Sequence, residues 1–110
     1  MQEELVLLQR QGRVATLTLN RLDKRNALNP EMLDTVSTTL LNLREDPEVR
    51  CIVLRGAGKD AFSAGFDIGR IGQRQPEQGE TPPRQTSPFA RAREAIALFP
   101  YPVIAMIYGY

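Results

Sequence analysis

The octapeptide Val49-Arg50-Cys51-Ile52-Val53-Leu54-Arg55-Gly56 carries the strongest architectural signal in this sequence. Its centre is a short, unbroken apolar run of β-branched character, and arginines stand on either side of it. A run of this kind is typical of a strand buried on both faces, the usual environment of a strand in a parallel sheet. Cys51, the one cysteine of the sequence, is then expected to be a buried, inert thiol.

A hairpin is predicted at the start of the chain. Leu5–Gln9 and Arg13–Leu19 are two extended patterns, the second with a clear period of two, and Gly12 lies in the turn between them. Asn20–Asn29 follows as a loop that is charged first and apolar last. This loop is therefore expected to begin in solvent and to return to the core.

A helix is predicted between the hairpin and the apolar strand. Asn29 is a favourable N-cap, Pro30 suits the first helical position, and Asp46-Pro47 ends the pattern. Its buried face is expected to consist of Leu33, Val36, Leu40 and Leu43. A hairpin, a helix and a buried strand in this order indicate a layered α/β domain.

Two helical segments with a loop between them, and then a further strand, are predicted after this strand. A short helical pattern covers Phe66 to about Gly72, and the proline- and glutamine-rich segment at about 73–87 is expected to be a mobile surface loop. Ser87-Pro88 starts a second helix that runs to about Phe99. The inward face of this helix is expected to be Ala92, Ala95, Ile96 and Phe99. Pro102–Ile107 is a second buried strand.

Such an apolar strand is expected to need cover on both faces and a continuation of the sheet. The sequence continues for three residues after it and would leave Tyr108 and Tyr110 exposed. Residues 1–110 are therefore expected to be a segment of a longer protein. The alternative is a complete small domain whose last strand docks onto the rest.

Composition narrows the classes of function. The chain has 110 residues, 42% of them hydrophobic, and a net charge of +1, which predicts no strong attraction to nucleic acid or to an anionic membrane. It contains no histidine, so these residues alone supply no Ser-His-Asp or Cys-His catalysis and no usual zinc site. The apolar runs are far shorter than the roughly 18 residues that a membrane span needs. We expect a soluble, cytoplasmic protein without a membrane span.

The segment from Asp60 to Ile68 is the best candidate for binding a ligand. Its small residues permit close approach to the backbone, and Gly65 permits the sharp turn into a helix whose first amides lack intrahelical partners. Such amides suit a developing negative charge on a carbonyl oxygen. A tight loop without a ligand explains the same residues equally well.

Nucleotide-binding motifs at Gly56–Ala61 fit the sequence poorly. A dinucleotide-binding loop would need a helix that opens within the glycines, and a P-loop would need Ser or Thr where this chain has Asp60.

Four motifs in order resemble one known family. They are Arg25-Asn26-Ala27-Leu28-Asn29, Val49–Gly56, Ala61–Ile68 and Pro102–Tyr110. Together they resemble the enoyl-CoA hydratase/isomerase (crotonase) family over nearly the whole chain. The resemblance implies that residues 1–110 are the N-terminal part of a single crotonase-like domain, a ClpP/crotonase-like spiral of ββα units. It also implies assembly into homotrimers or hexamers and an acyl-CoA thioester as ligand. It implies no separate cofactor, since coenzyme A arrives as part of the substrate.

The resemblance also implies the residues of the site. The backbone amide of Phe66 would be one of two oxyanion-hole donors to the thioester oxygen, and the positive charges of Lys24 and Arg25 would suit the CoA phosphates. The residues implied in substrate and CoA binding are Lys24, Arg25, Ala27, Ala64, Gly65, Phe66, Asp67 and Ile68. Many family members have alanine where this chain has Phe66, which leaves the acyl chain and the reaction type open.

The function implied for the parent protein is hydration of a 2-enoyl-CoA, with double-bond isomerisation or related acyl-CoA chemistry as the alternative. The second oxyanion donor and the acid/base carboxylates of the family fall beyond Tyr110, and Glu77 and Glu80 lie in a predicted mobile loop. The 110 residues alone are therefore expected to be inactive. A non-catalytic binding or assembly module is a further alternative, whereas a serine peptidase on the related spiral would need a histidine.

Overall fold

The computed structural model describes residues 4–65 and 87–109. Within these residues a mixed four-stranded sheet is combined with two α-helices. The strands are β1 (Val6–Gln11), β2 (Val14–Leu19), β3 (Cys51–Gly56) and β4 (Val103–Met106), and the helices are α1 (Pro30–Arg44) and α2 (Pro88–Ala97). A short 3₁₀ helix, Leu22–Lys24, lies in the loop between β2 and α1.

The sheet has the order β1-β2-β3-β4. β1 and β2 are antiparallel and form the predicted hairpin, with Gly12 at a φ of 60° in the turn. β2, β3 and β4 are mutually parallel, so β3 has the predicted parallel partners on both sides. In the chain, α1 lies between β2 and β3, and α2 lies between β3 and β4, as parallel pairing requires.

Both helices begin at the predicted residues. The side chain of Asn29 accepts a hydrogen bond from the Met32 amide at 2.8 Å, and Pro30 is the first helical residue. The Ser87 hydroxyl accepts from the Ala90 amide at 3.1 Å and caps α2 in the same way. α2 ends at Ala97, two residues before the predicted end at Phe99.

The core lies between one face of the sheet and the two helices, which pack against each other. All four leucine and valine positions predicted for α1 are buried, and three of the four predicted for α2 are buried while Ile96 packs against them partly exposed. The buried cluster consists of Val6, Ala15, Leu17, Leu19, Met32, Leu33, Val36, Leu40, Leu43, Val49, Ile52, Ala92, Ala95 and Phe99.

The prediction that β3 and β4 are buried on both faces is wrong for the residues described. In β3, Ile52 is fully buried, whereas its neighbours Cys51 and Val53 are half-buried. In β4, Ile104 is 52% and Met106 45% exposed. Alternate residues of a strand point to opposite faces, and α1 and α2 contribute their buried residues to one face of this sheet.

Some predictions lie outside the described residues. They are the helical pattern at 66–72 and the surface loop at about 73–87, of which only Ser87 is described, as the N-cap of α2. Among residues 4–65 and 87–109, no helix has the length and apolar character to cross a membrane.

Candidate functional site

The loop between β2 and α1 turns sharply from solvent into the core. Its 3₁₀ helix is followed by two successive residues in the left-handed region, Arg25 at a φ of 52° and Asn26 at 58°. Lys24 and Arg25 are exposed, whereas Asn26 and Ala27 are buried. This confirms that the loop begins in solvent and returns to the core. Asparagine adopts left-handed dihedrals more readily than most residues, because its short side chain forms local hydrogen bonds.

Asn26 lies at the centre of a buried hydrogen-bond network. Its side-chain oxygen accepts from the Arg21 amide at 2.8 Å. Its side-chain nitrogen donates to the carbonyl oxygens of Ala57 and Ala61, each at 3.0 Å. Both donors of the carboxamide are therefore used, and the residue is only 1% exposed. The network joins the loop after β2 to the segment after β3.

The same two segments are joined directly through their backbones. The Ala64 amide donates to the Arg25 carbonyl at 2.9 Å, and the Leu28 amide donates to the Gly65 carbonyl at 2.6 Å. We call the paired segments, residues 21–28 and 56–65, the junction. It brings together Lys24, Arg25 and Ala27 with Ala64 and Gly65, five of the residues that the resemblance implies in binding.

Ser63 adds a side-chain link across the junction. Its hydroxyl donates to the Asn26 carbonyl at 2.9 Å and accepts from the Gly65 amide at 3.1 Å. The amides of Ala64 and Gly65 thus both have partners within the junction. Gly65 itself has a φ of 90°, and among the described residues nothing lies within 4 Å of the position that a Cβ would occupy. Phe66, Asp67 and Ile68, the remaining predicted site residues, lie outside the described residues.

Gly56 allows the chain to fold back tightly after β3. A Cβ there would lie 2.3 Å from the Phe62 carbonyl oxygen and 2.7 Å from the side-chain nitrogen of Asn26. Gly109 has a similar role after β4, because a Cβ would lie 2.2 Å from the Asp60 carbonyl oxygen. Gly109 also forms an antiparallel bridge with Ala61. The two glycines therefore let the turns after β3 and β4 meet.

Tyr108 holds these turns together. Its hydroxyl donates to the Gly56 carbonyl oxygen and lies 2.6 Å from that of Gly58. The Arg55 guanidinium donates to the same hydroxyl at 3.3 Å, while the Nε of Arg55 is buried without a partner among the described residues. The prediction of an exposed Tyr108 is wrong, because this hydrogen-bonded side chain is half-buried. Tyr110 lies outside the described residues.

The exposed edge of the junction carries charges of both signs. Lys24, Arg25 and Lys59 are exposed, as are Asp23 and Asp60. The 3₁₀ helix approaches the turn that carries Lys59, since a Cβ on Gly58 would lie 2.6 Å from the Leu22 side chain. This edge is a surface on which a polyanion could meet several cations. In the described part of the chain, no group of three or more His, Cys, Asp or Glu side chains could hold a metal ion.

Sequence reasoning missed Asn26 and Tyr108 as contributors to this arrangement. Asn26 lies in the motif Arg25–Asn29, but the sequence predicted no role for it. Its position between the charged and the apolar halves of the loop could have indicated one. Tyr108 offered no comparable signal. Its partners are separated from it by 50 and 52 residues in the sequence.

Comparisons with known proteins agree with the architecture. A family model described as enoyl-CoA hydratase/isomerase matches residues 9–110. The chain is 36% identical over 99 residues to methylmalonyl-CoA decarboxylase of Escherichia coli (strain K12), covering 89% of this chain and 36% of that protein. It is 32% identical over 105 residues to short-chain-enoyl-CoA hydratase of Clostridium acetobutylicum, covering 96% of this chain and 39% of that protein.

A solved structure gives the same result for the fold. The crystal structure of an enoyl-CoA hydratase/carnithine racemase from Magnetospirillum magneticum superposes with a TM-score of 0.80 at 30% identity, covering 98% of this chain and 40% of that one. The chain thus spans about two fifths of the length of the relatives that it matches. On the family match over residues 9–110 and this superposition, the chain belongs to the enoyl-CoA hydratase/isomerase family and has the crotonase fold.

Proposed function

We propose that the junction forms part of an acyl-CoA site and that the parent protein hydrates 2-enoyl-CoA thioesters, whereas residues 1–110 alone are inactive. The observation that carries the proposal is the direct pairing of the loop that holds Lys24 and Arg25 with the turn that ends at Gly65. In this proposal the two cations bind CoA phosphates, and Ala27, Ala64 and Gly65 line the ligand. No separate cofactor takes part.

The thioester end is assigned to the residues after Gly65. The Ala64 and Gly65 amides are already bonded within the junction, which supports the Phe66 amide as the donor to the thioester oxygen. Asp67 and Ile68 continue the ligand-binding backbone in this proposal. A preorganised amide of this kind stabilises the negative charge that develops on the oxygen, and loss of one such donor typically costs about 10²–10³ in rate.

The reaction type rests on the names of relatives. One relative is named as a hydratase and another as a decarboxylase, both acting on CoA derivatives by name. Hydration is the reaction we propose, with double-bond isomerisation and binding without catalysis as the other outcomes of the test. A homotrimer or hexamer and a cytoplasmic location complete the proposal.

Calorimetric titration with crotonyl-CoA tests the binding site. We expect binding to weaken about 2–5-fold in Lys24→Gln and in Arg25→Gln, because exposed charge pairs contribute about 1 kcal/mol or less. At high salt the charges are screened, and the weakening should be smaller. Arg13→Gln is the matched control, since Arg13 is an exposed arginine in the hairpin turn. Absence of binding, or equal weakening by the control, would contradict the proposal.

The product identifies the reaction. After incubation of the parent protein with crotonyl-CoA, NMR would detect a 3-hydroxyacyl thioester if hydration is correct, whereas residues 1–110 alone should leave the thioester unchanged. A displaced double bond would favour isomerisation, and unchanged thioester together with measured binding would favour a non-catalytic module.

A further inference from the structure

The backbone and the side chain of Asn26 each form hydrogen bonds with both halves of the junction. Its amide donates to the Arg21 carbonyl at 2.8 Å, and its own carbonyl accepts from Ser63. Its carboxamide bonds to Arg21, Ala57 and Ala61. Nothing in the proposed binding of acyl-CoA uses this residue.

The geometry of this position suits asparagine. The backbone is left-handed, which glycine and asparagine adopt at the lowest cost. The site also needs one acceptor for the Arg21 amide and two donors for the carbonyl oxygens of Ala57 and Ala61. Aspartate would offer no donor, and glycine would keep the backbone conformation but lose all three side-chain bonds.

The bonds of Asn26 act on the turn that leads to Gly65. The carboxamide holds the Ala61 carbonyl at the start of this turn, and the Asn26 carbonyl holds Ser63 in its middle. The neighbouring Arg25 carbonyl holds the Ala64 amide. Three successive contacts from residues 25 and 26 therefore fix the direction in which the chain reaches Gly65.

We propose that Asn26 is a positioning residue for the thioester: it touches no ligand, but its carboxamide holds the turn from Ala61 to Gly65 in the orientation that acyl-CoA recognition requires. This inference rests on the proposed function, in which this turn lies at the thioester end of the ligand. Its specific claim is that Asn26 governs discrimination between a thioester and free CoA. A residue that merely stabilised the fold would affect both ligands equally.

The test compares Asn26→Gly with Val36→Ala in the whole chain. Glycine removes the carboxamide and retains the left-handed backbone, and Val36 is buried in α1 outside the junction. The two variants are compared at temperatures that give the same fraction folded. Ser63→Ala serves if Asn26→Gly does not fold, because it removes from a half-buried position the bond to the Asn26 carbonyl, together with the bond from the Gly65 amide.

Two measurements are made on each variant. Amide hydrogen exchange at Ala64 and Leu28 without ligand reports whether the turn is held, and we expect exchange about tenfold faster in Asn26→Gly than in Val36→Ala. The ratio of the Kd for CoA to the Kd for crotonyl-CoA reports thioester recognition. We expect this ratio to fall toward one in Asn26→Gly, to fall partway in Ser63→Ala, and to stay at its original value in Val36→Ala.

The outcomes separate the two proposals. Equal exchange in Asn26→Gly and Val36→Ala would overturn the positioning role whether or not a ligand binds, and so would a preserved ratio in a variant with faster exchange. If the Kd for CoA equals the Kd for crotonyl-CoA in the unmodified chain, the proposed thioester contact is wrong. The claim that Asn26 governs discrimination between a thioester and free CoA is then wrong as well. The exchange rates would then still decide whether Asn26 holds the turn.

Discussion

The core beneath the sheet and the junction at the carboxyl end of β3 are held together in different ways. Core residues such as Leu17, Leu40 and Ile52 are at most 1% exposed and are stabilised by burial of apolar surface. The junction is equally closed around Asn26, which is also 1% exposed, but it is held by directed hydrogen bonds to backbone carbonyls.

This difference teaches how the two regions tolerate change. Burial has no preferred direction, so a core position accepts another apolar side chain of similar volume at modest cost. A hydrogen bond needs its partner at a fixed distance and angle, and an unpaired buried group costs about 1–3 kcal/mol. We therefore expect core substitutions to change stability alone, and junction substitutions to change stability and ligand binding together.

Leu40→Ala has the largest expected effect on stability. Leu40 is 1% exposed in the middle of α1, so its truncation leaves a cavity and should cost about 2–5 kcal/mol. Urea unfolding followed by circular dichroism measures the loss. The affinity of the folded fraction for crotonyl-CoA should remain within about twofold, and a larger change would show that the core and the junction are not separate.

Gly56→Ala tests the junction in the way that Leu40→Ala tests the core. The added Cβ would meet two backbone carbonyl oxygens, 2.3 Å away at Phe62 and 2.6 Å away at Ala61, and backbone atoms cannot move aside as a flexible side chain can. We expect a loss of about 1–3 kcal/mol in urea unfolding, together with weaker binding of crotonyl-CoA. Gly12→Ala is the control, because a Cβ on Gly12 would meet nothing within 4 Å among the described residues, so any cost there comes from its positive φ and not from a close contact. Unchanged affinity in Gly56→Ala would contradict the dependence of the site on this close approach.

Asn29→Ala tests the boundary between the two regions. The side chain caps α1 by accepting from the Met32 amide at 2.8 Å, and losing such a cap costs about 1 kcal/mol. Asn29→Asp, which keeps the accepting oxygen, should retain most of that stability. The free energy of unfolding distinguishes the two variants, and equal losses would mean that the cap contributes little.

Asp34→Asn should have the smallest effect. Asp34 pairs with Arg91 at 2.7 Å and so links α1 to α2, but both side chains are nearly half exposed. Exposed pairs contribute about 0–1 kcal/mol, and less in salt. Thermal unfolding at low and high salt should give nearly the same stability for the variant and the unmodified chain. A loss comparable to that of Leu40→Ala would contradict the view that burial holds the helices in place.

The core could largely be predicted from the sequence, because its signals are local and periodic. The spacing of Leu33, Val36, Leu40 and Leu43 gave the buried face of α1, and Asn29-Pro30 gave its first residue. Exposure of β4 could not be predicted in this way. An apolar run shows that a strand suits burial, but which face the helices cover depends on tertiary packing.

The junction was harder to predict, because its contacts join residues far apart in the chain. Asn26 bonds to carbonyls 31 and 35 residues away, and no periodic pattern records such a pairing. That Lys24, Arg25 and Ala27 belong with Ala64 and Gly65 was implied by the family resemblance and not by spacing. The roles of all these residues in binding remain predictions, as do those of Phe66, Asp67 and Ile68.

Amide NMR of the isotopically labelled chain during titration with crotonyl-CoA tests the central claim most directly. If the junction is part of an acyl-CoA site, the shifts should be concentrated at residues 21–28 and 56–68, and α1 and the hairpin of β1 and β2 should be little affected. Shifts centred on the hairpin or on the exposed face of β4, or no shifts at a saturating concentration, would contradict it.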